Sequence, residues 1–179
     1  MSNRAYLVSD NNSSPAFEDE NGDLGYESQN ILSEGGSYIL PIFWLTAFRA
    51  NDCFVQTIGS DKLTCLLVAR EDALRNIEAS KDLVCTEFSN LIFHFPRWEE
   101  IVSNSKGSHL KIDAIELWQM APDIYEDYLP QALRWFSSRD ESDRDAMLEL
   151  CGFKMNAATK SVLLNASLAT GNHLYGRVS

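Results

Sequence analysis

Apolar residues are densest in Tyr38-Ile-Leu-Pro-Ile-Phe-Trp-Leu-Thr-Ala-Phe48, and from Pro41 onward their spacing predicts a short helix. Proline fits a first helical turn, while Arg49 and Asn51 suit the last turn and the exit. Ile42 and Leu45 lie on one side, Phe43 and Ala47 on a second, Trp44 and Phe48 on a third. A helix apolar nearly all round belongs in a core. It is too short for a membrane, which takes roughly 20 apolar residues to span.

Around this core the pattern predicts a strand over Arg4–Ser9, with Tyr6 and Val8 on one face and Ala5 and Leu7 on the other. Asp10 to Gly36 is rich in Asn, Ser, Gly and acid and reads as an exposed loop or flap. Two β-prone runs, Cys53–Ile58 and Lys62–Ala69, flank the turn signal Gly59-Ser-Asp61 and predict a hairpin. With Ile58 facing Lys62, Val55 faces Cys65 and Cys53 lies diagonal to Cys65. A short helix follows from Glu71 to Ala79, with Leu74 and Ile77 inward. Leu83–Cys85 and the alternating Leu91–Phe95 read as strands, and Pro96 opens a helix to Ser103 that buries Trp98, Ile101 and Val102. Lys106-Gly-Ser108 reads as a loop.

The later chain reads as helices. Asp113 with Glu116 three residues on has the spacing of a capping box, which starts a helix at Ala114 that runs toward Ala121 and is anchored by Leu117 and Trp118. Asp127 reads as the next cap, with Pro130 in the first turn of a helix to Ser137 and Leu129, Leu133 and Phe136 on one stripe. Arg139–Cys151 follows, with Ala146, Met147, Leu150 and Cys151 inward and Gly152 at its end. Asn156 caps a last helix ending at Gly171. Strands early and helices late predict an α+β fold, with a hairpin near 53–69 and a mostly helical C-terminal half.

Length changes the picture little: 179 residues, 45% apolar, suit a single domain over 1–179. Four cysteines, Cys53, Cys65, Cys85 and Cys151, stand far apart with no CxxC pair, so free thiols in a reducing compartment are expected. The N-terminus carries no apolar run of signal-peptide length, which with the thiols suggests the cytoplasm.

Charge changes it more. The net charge is −11. Residues 1–37 hold seven acids and one base, and residues 113–149 ten acids and three bases. Nucleic acid wants a basic footprint that no segment supplies, and no membrane partner is expected, whereas a basic protein partner suits this field.

Candidate chemistry is sparse. Glu34-Gly-Gly-Ser37 lacks the later Gly and Lys of a phosphate cradle, and neither a GxSxG elbow nor an HExxH zinc pattern occurs. Asp19, Asn21 and Asp23 begin like a calcium loop, but Leu24 and Asn30 break it. No metal or cofactor is expected. His94, His109 and His173 are the only histidines, and a nucleophilic pair assembled in space stays open, Cys85 with His94 or else Cys85 or Cys151 in a cleft beside a histidine, as in a small hydrolase or transferase. The recognition candidate is Asp123-Ile-Tyr-Glu-Asp-Tyr128. Asp123, Glu126 and Asp127 would steer a basic partner, and Tyr125 and Tyr128 would supply rigid contact area.

Asn3-Arg4-Ala5-Tyr6-Leu7, followed by Leu32-Ser-Glu34 and Ile39-Leu-Pro-Ile42, resembles an uncharacterised bacterial family. Its members open with an NR-S/A-YL segment and later carry an SE…IP stretch. The resemblance covers about the first quarter of the chain; it implies a bacterial origin and no functional residue. In type, a small acidic domain without catalytic motifs resembles the immunity proteins that neutralise a cognate toxin. A non-catalytic binding protein of that kind is the leading expectation, beside a small enzyme or a subunit of a larger assembly.

Overall fold

The computed structural model describes residues 5–14, 31–35, 39–58, 61–154, 174 and 176–178. Six strands, β1 (Tyr6–Asp10), β2 (Ile31–Glu34), β3 (Cys53–Ile58), β4 (Asp61–Ala69), β5 (His109–Asp113) and β6 (Arg177–Val178), form one sheet in the order β3-β4-β5-β1-β2-β6. Every pairing among them is antiparallel. The helices are α1 (Ile42–Thr46), α2 (Arg70–Glu87), α3 (Phe95–Ser103), α4 (Ile115–Met120), α5 (Pro122–Ser138) and α6 (Glu141–Leu150). The fold is α+β, as the order of patterns predicts.

Directly paired residues share a face, so the register sorts the sheet into two surfaces. Ser33, Leu7, Ile112 and Leu66 form one row, and Ser9, Leu110 and Val68 the next, all buried. The opposite face carries Val8, Lys111 and Leu67, then Asp10, His109 and Ala69, then Glu34, Tyr6 and Asp113. Lys111 is only 3% exposed, and its Nζ lies 3.0 Å from Asp10 Oδ2. Burial works to raise the Asp10 pKa, but hydrogen bonds from Asn12 N and Lys111, with the Lys111 charge, win and hold it below the ordinary value.

Asp113 has the opposite balance. Burial pushes its carboxyl up to about 6, a hydrogen bond from Ile115 N at 3.1 Å opposes this, and the Glu116 charge adds to the rise. The native state therefore holds a proton on Asp113 between about pH 4 and 6 that the unfolded chain has released, so this group lowers stability as pH rises through that window. Asp113→Asn keeps the acceptor for Ile115 N and should raise stability at pH 7.5 by about 2 kcal/mol while leaving it unchanged below pH 4. Urea denaturation of both proteins across pH checks this; an equal difference at both ends would exclude a titrating Asp113.

The buried helix is where the apolar run places it: Ile42 to Phe48 are all buried. Phe43 meets Phe95 edge-on at 4.9 Å between centroids. Trp98 Nε1 donates to Thr46 Oγ1 at 3.2 Å, and that hydroxyl donates to Phe43 O at 2.6 Å, so the buried polar atoms of this centre are bonded. Leu40 N donates to Leu150 O at 2.9 Å, tying the approach to α1 to the end of α6. Arg49 closes the other end. Its Nη1 donates to Thr46 O and Phe48 O at 3.0 and 2.7 Å, and its Nη2 to Asn76 O and Ser80 Oγ at 2.6 and 2.9 Å. The guanidinium also sits 5.8 Å from the centroid of the Phe136 ring. One side chain thus joins α1, α2 and α5.

Several expectations need correction. The hairpin forms, but Ile58 pairs with Asp61 and Phe54 with Cys65, so Cys53 pairs with Leu66 and faces away from Cys65; the diagonal thiol contact does not exist. The helix expected to stop at Ala79 runs to Glu87 and absorbs Leu83–Cys85. Leu91–Phe95 is no strand: Ser89–His94 is a 3₁₀ helix in which Leu91 is buried and Phe93 is 82% exposed. Strand β2 occupies part of the expected loop over 10–36, and residues 15–30 lie outside the described residues. So does the helix expected from Asn156 to Gly171.

Candidate functional site

Pro122 opens α5 one residue after α4 ends, with Ala121 as the joint. A proline at the first position has no amide to waste, and its fixed φ suits the helix. The helix then runs without a break to Ser138. Tyr125, Leu129, Ala132 and Phe136 fall at i, i+4, i+7 and i+11 and are all buried. That stripe holds the helix through Pro130, which lies inside it and cannot bond the Glu126 carbonyl.

The expected cap at Asp127 therefore does not form. Asp127 is mid-helix because α5 already starts at Pro122. Tyr125 is also corrected: it is 6% exposed, and burial, with the nearby Cys151 thiol, pushes its phenol well above its ordinary range. It packs the core and is withdrawn from any partner. The remaining four residues stay at the surface. Asp123, Glu126 and Asp127, at i, i+3 and i+4, share one exposed face, and Tyr128 is 37% exposed on the flank.

Arg139, in the left-handed region at φ 58°, turns the chain from α5 into α6. Asp140 caps α6, accepting from Ser142 N at 2.9 Å, and this bond and that from the Ser142 hydroxyl hold its carboxyl below the ordinary value. Asp143 locks the hairpin, accepting from Arg134 Nη2 and Ser138 Oγ, each at 3.0 Å. The closeness of Tyr125 to Cys151 sets the first turns of α5 beside the end of α6.

On α6, Glu141, Asp145 and Glu149 are exposed at i, i+4 and i+8, an acidic stripe that the count of acids over 113–149 signals but does not place on a face. Asp145 pairs with Lys154 at 3.4 Å. Asp123, Glu126, Asp127 and Glu149 form no ion pair among the described residues. Asp123 in the first turn of α5 favours its helix, but Glu149 in the last turn of α6, which has no basic residue, opposes its own. Helix stability does not explain that acid.

No protein-family model, curated protein or solved structure matches the chain.

The other candidate groups are accounted for in place. Cys65 and Cys151 are buried, and Cys53 and Cys85 partly so. Burial pushes every thiol up, with the Asp52 charge adding at Cys53, which reaches about 12; Cys65 reaches about 11. These are protonated thiols at neutral pH. No hydrogen bond joins Cys85 to His94 among the described residues; burial lowers the His94 pKa, and its ring lies 6.4 Å from that of Phe43. Ser108 Oγ lies 2.9 Å from His109 Nδ1. His173 and the residues of the broken calcium pattern lie outside the described residues. Among those described, no group of three His, Cys, Asp or Glu could hold a metal, and no helix is long and apolar enough to cross a membrane.

Proposed function

We propose that this chain is a binding protein of the immunity type, which neutralises a basic protein, such as a toxin, by docking it on the acidic start of α5 beside the end of α6. The observation that carries the reading is the face formed by Asp123, Glu126 and Asp127, exposed and without a cation among the described residues. Acids on a helix already fixed by its buried stripe lose little freedom on binding, so a cation that meets them faces a small ordering cost. A chain at −11 also speeds encounter with a basic partner. Tyr128 supplies contact area at the flank of the charges.

Capture from the source strain, with the chain as bait, tests the function. A single basic protein should be retained at saturating one-to-one stoichiometry, released as salt rises, and encoded beside this gene. Recovery of abundant housekeeping proteins alone, with no toxin-like neighbour, would count decisively against the immunity reading. Tyr128→Ala should weaken the complex by about 1–2 kcal/mol through faster dissociation rather than slower encounter, which the two rate constants separate.

A further inference from the structure

We infer that the chain associates with a second copy of itself through β3, the two strands pairing antiparallel across a twofold axis. Strand β3 is one edge of the sheet: β4 covers one side, and no described strand covers the other. The outer backbone groups of a sheet edge can template another strand. Edges are ordinarily blunted by charge, proline, a bulge or shortness. Cys53-Phe-Val-Gln-Thr-Ile58 has none of these: six residues, uncharged, without Pro or Gly, in unbroken register with β4. The opposite edge, β6, is two residues long and carries Arg177.

The side chains at the middle of β3 point the same way. Phe54 is 41% exposed and Val55 64% exposed, and as neighbours in a strand they project from opposite faces. An added strand would cover apolar surface on both sides of the sheet at once. Charge selects the occupant. A basic partner gains nothing from six uncharged residues, and two molecules at −11 repel wherever their acids meet. The edge of β3 is a charge-free strip. Antiparallel pairing sets the Asp52 end of each strand against the hairpin end of the other, so the two Asp52 carboxylates stay apart. Identical strands so paired are self-complementary by symmetry. One short strand per copy buries less than the roughly 1,200 Å² of a standard interface, so the dimer is a weak one.

Sedimentation of the full chain from about 5 to about 200 µM, with reductant present so that Cys53 cannot bridge, tests this; such a range brackets weak self-association. The mass should rise from 20.2 kDa toward twice that value. Val55→Lys, at an exposed position, should remain at the monomer mass throughout with an unchanged thermal transition. A wild-type chain that stays monomeric, or a Val55→Lys chain that dimerises equally, overturns the inference. Should the variant fail to fold, hydrogen exchange of the wild-type chain decides: amides of residues 53–58 must become slower to exchange as concentration rises, and a doubling of mass without that protection also overturns it.

Discussion

Replacing Arg49 by alanine is expected to lower stability by about 4 kcal/mol, an effect usually reserved for large core residues. The change strips donors from Thr46 O, Phe48 O, Asn76 O and Ser80 Oγ together, at the junction of α1, α2 and α5. The Ser80 hydroxyl still donates to Asn76 O at 2.7 Å and lies 3.4 Å from Thr46 O, whereas Phe48 O loses the donor at 2.7 Å, and a buried acceptor left without one costs about 1–3 kcal/mol. Part of the loss is recovered because the guanidinium no longer has to be desolvated; that burial already lowers its pKa, against the opposing Asp52 charge. Arg49→Lys should recover less than half of the loss, since one ammonium cannot span the carbonyls of two helices as the fork does. Urea unfolding measures both variants, and an Arg49→Ala chain within 1 kcal/mol of wild type would show that Arg49 is not a clamp.

Gly107→Ala is expected to cost about 3 kcal/mol, by overlap rather than by lost bonds. A Cβ at Gly107 would lie 2.6 Å from the Ser9 carbonyl carbon and closer still to the Asp10 nitrogen, all backbone, so no side chain can swing away. The neighbourhood is pinned on three sides. Gly107 N donates to Ser9 Oγ at 2.8 Å, Ser108 N to Asn11 Oδ1 at 3.1 Å, and Arg70 N to Ser108 O at 2.8 Å. Relief of the overlap would thus pull β1 from β5 and disturb the buried Lys111 and Asp10 pair. At Gly35 the nearest atom to a Cβ is a Trp44 ring carbon at 3.2 Å, so Gly35→Ala should cost less than half as much. Thermal unfolding of the two variants checks the ratio; equal costs would contradict it.

The sequence made some of this legible and hid the rest for identifiable reasons. Alternation marks the hairpin strands, but register depends on the connection: Gly59-Ser-Asp61 reads as three residues, and pairing of Ile58 with Asp61 leaves two. Helix α2 buries Ala73, Ile77, Ser80 and Val84, and the serine in that stripe breaks the apolar period at the point where the pattern suggests an end. Leu91, Phe93 and Phe95 alternate as a strand would, yet Leu91 and Phe95 are also four apart, and the exposed Phe93 shows that helical spacing won. Strand β5 was hidden by Lys111, a buried charge that pairs with Asp10 of a strand about 100 residues earlier. At the candidate site the acids were visible and the helix phase was not. Pro130 looks like a start only until Pro122 is recognised as one, and that choice decides whether Tyr125 faces a partner or the core.

Binding at the start of α5 is tested most directly by charge reversal at equal net charge. Glu126→Lys with Asp127→Lys alters the proposed surface, and Glu71→Lys with Glu78→Lys makes the same change of charge on exposed positions of α2. Both pairs weaken long-range attraction alike, so capture of the basic partner at about 50 mM salt, where such attraction is least screened, separates field from contact. The α5 pair should lose the partner while the α2 pair retains it with slower association, both proteins melting as the wild type does. Equal retention by the two, or equal loss, would contradict docking on the acidic face of α5.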